Sequence, residues 1–298
     1  MSVTKPIPPA LLGWAQNVVG PARVDRDVSN DRANSQVWRL SCATGIVFAK
    51  VAPNPTSFAR DTRALREVAP GMEPGTAPLL LAADPLQQAL LLTPVPGRMV
   101  KALSLTPAEQ RALHRQAGRW LRRFHGGAGE LSSQDRADSA AEVARAAAGA
   151  DNHLGRAGDL IAPEGQRTVR WHAAALGRIG PLPAGFIHGD FQARNWLLDA
   201  GPADRVFGAV DLERARPHAA VADLVPLACG SWVGRPDLQE AFLDGYGRAL
   251  TAEEQWALRC LCALDAASTI SWGAPQGDLE IVARGRATLA RLEVPAAG

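Results

Sequence analysis

Residues 187–199, IHGDFQARNWLLD, space His188, Asp190 and Asn195 as H-x-D-x-x-x-x-N, and Asp211 follows in AVDLERA, residues 209–215. Residues of these types can serve phosphoryl transfer from a nucleoside triphosphate. That reaction needs a carboxylate at the attacking hydroxyl, oxygen ligands for the metal on the phosphates, and a loop rigid enough to hold both. Asp190 and Asn195 have the spacing in which the Asp orients the hydroxyl and takes its proton while the Asn, five residues on, holds one metal ion. Asp211 is the candidate for a further metal-binding oxygen. The surrounding elements must bring these groups to one place. Trp196, Leu197 and Leu198 read as a buried strand, 199–204 as a turn, and 206–210 as the returning strand that delivers Asp211 to the same end.

A nucleotide also needs a cation and a cover. In GIVFAKV, residues 45–51, Ile46, Phe48 and Lys50 share one face of a strand and Val47, Ala49 and Val51 the other. A Lys on a buried strand is costly unless an anion accepts it. The α- and β-phosphates together with an acid on the next helix would do so, and Phe48 on the same face would cover the base. That helix is expected to begin at Thr56 or Ser57, with Phe58, Ala64, Leu65 and Val68 at helical spacing. Asp61 and Glu67 compete as the acid; six residues apart, they differ by about 240° around the helix, so only one can face Lys50. Strands at 24–28 and 36–41 flank a polar tip, whose backbone N–H groups and Ser29 and Ser35 hydroxyls could donate to phosphate oxygens. The segment TPVPG, 93–97, breaks regular structure as a hinge would. Backbone groups of Thr93 and Val95 are placed there to meet the base edge, with Val95 the preferred donor because Pro94 and Pro96 have no N–H.

HGDFQARNWLL followed by VDLERA resembles the catalytic loop and metal-binding Asp of the aminoglycoside phosphotransferase family. The resemblance implies an α+β, protein-kinase-like, two-lobed fold: an N-terminal antiparallel sheet with one main helix, then a mostly helical lobe. It implies ATP (GTP not distinguished) and Mg2+ as cofactors, and a small-molecule hydroxyl as acceptor. Gly189 stands where protein kinases carry Arg. Two departures are present: Gln192 replaces a His common in the family, and Asp211 is followed by Leu212-Glu213, not Phe-Gly. The family's helix register puts Asp61, one methylene shorter than the usual Glu, opposite Lys50. Asp223 resembles a buried Asp that accepts backbone N–H bonds from the catalytic loop, with a helix N-cap as the competing role; with His188 it would support Asp190. Gln192, Arg194, Glu213, Asp265 and Trp272 are candidate substrate residues, Glu213 equally a supporting group or a plain surface acid.

Composition fits this reading and excludes others. The 298 residues are 47% hydrophobic and 21% charged, with a formal net charge of +2, too small to argue for a nucleic-acid or membrane partner. No obligatory protein partner is evident. The four cysteines make no metal-ligand cluster and suit a reducing compartment. No run approaches the roughly 20 apolar residues of a membrane span, so a cytoplasmic location is expected. The expected division is a nucleotide-binding lobe, 1–96, and a helical lobe, 97–298, carrying the catalytic loop and acceptor pocket. Helices are expected from 106 to 125, over 136–160 and 165–178, and near 237–248, 252–269 and 277–292, with His114 and His125 on a helix surface or end. Arg259, Arg284, Arg286 and Arg291 interleave with the acids of the last helices, which argues against a strictly polycationic acceptor. Three functions compete: an antibiotic-inactivating phosphotransferase, a metabolic kinase for choline, an amino alcohol or a sugar, and a kinase-like protein that binds nucleotide without catalysis.

Overall fold

The structure, a computed structural model, describes residues 5–29, 36–199 and 205–293. The chain begins with α1 (Pro9–Val19), β1 (Ala22–Asp27), β2 (Gln36–Cys42), β3 (Gly45–Val51), α2 (Pro55–Glu67), β4 (Leu80–Asp84), β5 (Ala89–Leu92) and β6 (Arg98–Met99). Helices α3 (Pro107–Gly126), α4 (Ser133–Ala148), α5 (Ala150–Ala157) and α6 (Pro163–Leu176) follow, then β7 (Ala184–Ile187), β8 (Trp196–Leu198), β9 (Phe207–Ala209) and β10 (Arg216–Ala219). The chain closes with α7 (Val225–Ala228), α8 (Pro236–Tyr246), α9 (Ala252–Gly273) and α10 (Leu279–Leu292).

Contacts divide these elements into two compact units, residues 1–104 with 188–216 and residues 105–187 with 217–298. This differs from a single boundary after residue 96. Backbone hydrogen bonding is the reason: β6 pairs antiparallel with β8, and β8 with β9. The Ala209 N–H also donates to the Thr76 carbonyl at 3.0 Å. Gly97, at φ 111°, lies so close to the Leu198–Asp199 backbone that a Cβ would not fit. The loop and hairpin bearing Asp190, Asn195 and Asp211 therefore belong with the first unit.

In that unit the sheet order is β1-β2-β3-β5-β4, all pairs antiparallel. One face meets α1: Leu11 and Ala15 pack with Trp38, Leu40, Val47, Ala49, Ala89 and Leu91 in one buried cluster. The alternation along β3 sends Val47 and Ala49 into this cluster and leaves Phe48 and Lys50 for the other face. Helix α2 begins one step earlier than expected. Asn54 is its N-cap, its side chain accepting from the Ser57 N–H at 2.9 Å, and Pro55 occupies the first turn.

The second unit is helical apart from the two-stranded β7–β10 sheet. Thr106 and Glu109 close a capping box on α3, and Thr251 and Glu254 do the same on α9. Helices α3 and α8 approach closely at glycines: a Cβ on Gly118 would strike the Phe242 carbonyl, and one on Gly245 the Arg115 carbonyl.

Candidate active site

Three elements of the first unit converge on Lys50. Strand β3 holds it with its side chain 10% exposed. Helix α2 supplies Asp61, 2% exposed, with Oδ2 2.8 Å from Nζ. The segment after β9 supplies Asp211 at 2.6 Å and Glu213 at 3.5 Å. Asp61 is thus the direct partner, its shorter side chain notwithstanding; Glu67 pairs with Arg63 on the helix surface. Burial disfavours the Lys50 charge, yet Asp211, Asp61 and Glu213 outweigh it and hold its pKa above the ordinary value. Burial likewise works against ionisation of Asp211, and Lys50 overcomes it, keeping that carboxyl below its ordinary range. Glu213 is pushed up by burial and by the neighbouring Asp211 charge.

The loop before β8 is tied down from several sides. Phe191, Trp196 and Phe207 form a buried aromatic cluster beneath it, with ring centroids 5.0–6.2 Å apart. His188, fully buried, accepts the Asp190 N–H at Nδ1 (3.3 Å) and donates from Nε2 to the Val210 carbonyl (3.2 Å). The Val210 N–H donates to the Asn195 carbonyl at 3.0 Å. One imidazole therefore couples the loop to the strand end that carries Asp211. Gly189 has φ +78°, and a Cβ there would run into the Arg214 carbonyl, so the loop admits only glycine without strain. Asp211 itself lies at φ 73°, a left-handed conformation that Asp tolerates better than most residues.

Asp190 is 8% exposed and surrounded by donors. Gln192 Nε2 donates to Oδ1. Arg194 reaches Oδ2 at 2.7 Å and Asn195 Nδ2 reaches the same oxygen at 2.9 Å. Asn195 Nδ2 also donates to the Asp190 carbonyl at 2.9 Å. Its Oδ1 takes no hydrogen bond among the described residues. No group of three or more His, Cys, Asp or Glu that could hold a metal occurs among those residues. A hard divalent ion that keeps waters and binds substrate phosphates needs only one or two protein oxygens. Asn195 Oδ1 and the Asp211 carboxylate fit such an ion.

The other expected site residues fall differently. Phe48 is half-buried on the Lys50 face of β3. The Thr93 N–H donates to the Leu79 carbonyl at 3.0 Å and its hydroxyl accepts from the Leu79 N–H at 2.9 Å, which leaves the carbonyl as its backbone group for a base. The Val95 N–H has no hydrogen-bond partner among the described residues. Ser29 is also engaged locally: its N–H donates to Asp27 at 2.8 Å, and its Oγ accepts from the Val37 N–H at 2.9 Å and donates to the Val37 carbonyl at 3.5 Å. Ser35 lies outside the described residues.

Asp223, Asp265 and Trp272 belong to the second unit. Asp223 sits within a short 3-10 turn, Ala220–Leu224, and not at a helix N-cap. It meets His125 Nε2 at 3.0 Å, while His125 Nδ1 lies 2.8 Å from the Tyr246 hydroxyl. His125 lies in the last turn of α3, at the helix end as expected, while His114, at 4% exposure, is buried and not on the helix surface. Sequence reasoning missed this Asp–His–Tyr chain because three separate segments contribute to it. Asp265 and Trp272 lie on α9; Trp272 is exposed and Asp265 faces Thr269 at 3.4 Å. A cavity of about 500 Å³ in this unit is lined instead by residues including Trp256, Arg259, Cys262, Thr288 and Arg291.

An antiparallel sheet carrying a buried Lys–Asp pair, joined to a rigid H-x-D-x-x-x-x-N loop and a strand-end Asp, defines a phosphotransferase of protein-kinase-like α+β fold. The chain belongs to the phosphotransferase enzyme family APH, whose model matches residues 26–264, and is a kinase-type enzyme acting on hydroxyl groups. Solved structures share the fold across almost the whole chain. The macrolide 2'-phosphotransferase MphH from Brachybacterium faecium is 16% identical, with TM-score 0.60, over 97% of this chain and 98% of that one. A choline/ethanolamine kinase family protein from Mesorhizobium loti is 20% identical, with TM-score 0.58, over 96% and 94%. A streptomycin-ATP-APH(2")-IIa ternary complex is 14% identical, with TM-score 0.64, over 96% and 97%. No match is found among curated proteins. No helix among the described residues is long and apolar enough to cross a membrane.

Proposed function

We propose that this enzyme moves the γ-phosphoryl group of ATP to a hydroxyl of a small molecule, and that the acceptor is an antibiotic inactivated by the transfer. The observation that carries the reaction is the gathering of Lys50, Asp190, Asn195 and Asp211 on one unit, with Asp190 and Asp211 held in register through His188. Lys50, oriented by Asp61, binds the α- and β-phosphates. Asn195 and Asp211 would hold Mg2+, which supplies neutralisation of the phosphate charge. Phe48 and the Val95 N–H bind the base. Asp190 orients the acceptor hydroxyl for in-line attack and takes its proton. The transition state being loose, positioning and charge neutralisation contribute more than the strength of the base.

A specific observation favours a second acceptor class. Arg259, Arg284, Arg286 and Arg291 interleave with the acids of the last helices, which suits a neutral or anionic polar metabolite better than a polycation. Acceptor-dependent ADP release with magnesium-ATP tests both readings. The panel spans aminoglycosides, macrolides, peptide and nucleoside antibiotics, and choline- and sugar-like metabolites, with mass spectrometry for one added phosphoryl group. An antibiotic hit that Asp190→Asn lowers by about 10²–10⁴-fold supports the first reading. A metabolite hit moves the enzyme to the second. Turnover unaffected by Asp190→Asn removes Asp190 from the mechanism.

A further inference from the structure

The surroundings of Asp190 pose a problem for the proposed chemistry. A carboxylate that is to accept a proton needs a lone pair aimed at the substrate. Here Oδ1 is taken by Gln192, and Oδ2 by both Arg194 and Asn195. At least one donor must leave before Asp190 can meet a hydroxyl. Asn195 is the least able to go, since the same amide nitrogen also holds the Asp190 carbonyl and the residue is 3% exposed. Gln192 is neutral and gains little by moving. Arg194 differs from both: its side chain is 31% exposed and it is the only charged donor of the three. It therefore stands beside the proton acceptor, where phosphoryl charge would arrive.

We infer that Arg194 is a phosphoryl-binding catalytic residue that exchanges partners during the reaction. This inference rests on the phosphotransferase reading above. With no nucleotide bound, Arg194 neutralises Asp190 Oδ2. A bound triphosphate offers more negative charge and the paired oxygens that a planar guanidinium grips bidentately, so Arg194 transfers from Asp190 to the γ-phosphoryl oxygens. The same movement frees Oδ2. The acceptor oxygen then forms its bond to the γ-phosphorus as the bond from phosphorus to the β–γ bridging oxygen breaks. ADP leaves with that electron pair, and the hydroxyl proton passes to Asp190. Arg194 stabilises the charge spread over the transferring oxygens. One residue thus keeps the base masked until the phosphoryl group is in place.

The test compares wild type with Arg194→Ala and Arg194→Lys in the full chain. Two affinities are measured with magnesium present: for ADP, and for ADP with aluminium fluoride, which mimics the transferring phosphoryl group. The expected result is an Arg194→Ala affinity for the mimic reduced about 10²–10³-fold, with ADP affinity within a few-fold of wild type. Arg194→Lys should fall between the two, because it retains charge without the fork. Added guanidinium should partly restore the mimic's binding to Arg194→Ala. Equal loss of both affinities, or no loss of either, overturns the assignment. If wild type itself binds the mimic no more tightly than ADP, the phosphotransferase reading falls and takes the inference with it. If wild type binds it tightly and Arg194→Ala does too, only the inference falls.

Discussion

Replacing Lys50 by Met should expose how the first unit tolerates its buried charges. The ammonium is the common partner of three carboxylates, at 2.6 Å (Asp211), 2.8 Å (Asp61) and 3.5 Å (Glu213). Met has a similar length and fills the same space, so the loss is chiefly electrostatic. Asp211 and Glu213 keep 27% and 26% exposure and can turn to water; Asp61, at 2%, cannot. Removing one partner of a buried pair costs about 3–5 kcal/mol, against a total stability of about 5–15 kcal/mol. The variant should fold at neutral pH with a much reduced margin.

The deficit should also depend on pH with a defined sign. Burial already holds the Asp61 pKa above its ordinary value against the pull of Lys50, and without Lys50 it rises further. Above that ordinary value the folded state then binds more protons than the unfolded state, so stability falls as pH rises. Each unit by which the Asp61 pKa rises adds about 1.4 kcal/mol to the loss at neutral pH. In wild type, Lys50's raised pKa contributes stability that is complete below about 10.4 and adds no slope near neutral pH. Asp211's lowered pKa contributes stability that is lost only as pH falls through the acid range. Urea unfolding between pH 4 and 8 reads the difference. Lys50→Met/Asp61→Asn should recover most of the loss and abolish the extra slope. A deficit below about 1 kcal/mol at pH 7, or a slope in excess of wild type that survives Asp61→Asn, would refute the reasoning.

Other perturbations test other parts of the molecule. Tyr246 is the single tyrosine of the chain, and burial pushes its phenol from 10.0 up to about 12. Its absorbance titration should therefore show one transition near that value. Because the unfolded phenol ionises first, stability should fall as pH rises beyond 10, by about 3 kcal/mol over two units; a midpoint near 10 in folded protein would contradict its buried position. Gly189→Ala forces a Cβ against the Arg214 carbonyl at a positive φ, and should destabilise by about 1–3 kcal/mol on chemical unfolding. Gly245→Ala drives α8 into α3 and should cost about 1–3 kcal/mol or more. Gly13→Ala, in α1 with nothing within 4 Å of the new Cβ, should instead stabilise by up to about 1 kcal/mol.

The chemistry-bearing stretch was legible because its signals are local. The spacing of Asp190 and Asn195, the apolar strand at Trp196–Leu198 and the return to Asp211 depend on neighbours along the chain, and the antiparallel β8–β9 pair follows directly. The strand alternation that sets Lys50 apart from Val47 and Ala49 is of the same kind. The choice of Asp61 over Glu67 needed the family's helix register, since both acids suit a helix equally. Other features had no local signature. The bonds of the Thr93 amide to Leu79 and of Ser29 to Asp27 and Val37 are of this kind. Backbone pairing of β6 with β8 moved the division of the chain away from residue 96. The His125–Asp223–Tyr246 chain joins residues 98 and 121 positions apart. A buried polar group must find a partner wherever the fold brings one, and sequence separation carries no record of that. What the sequence by itself determined was the identity and spacing of the reacting groups. Which donors surround each of them, and how far each is removed from water, only the tertiary structure decided.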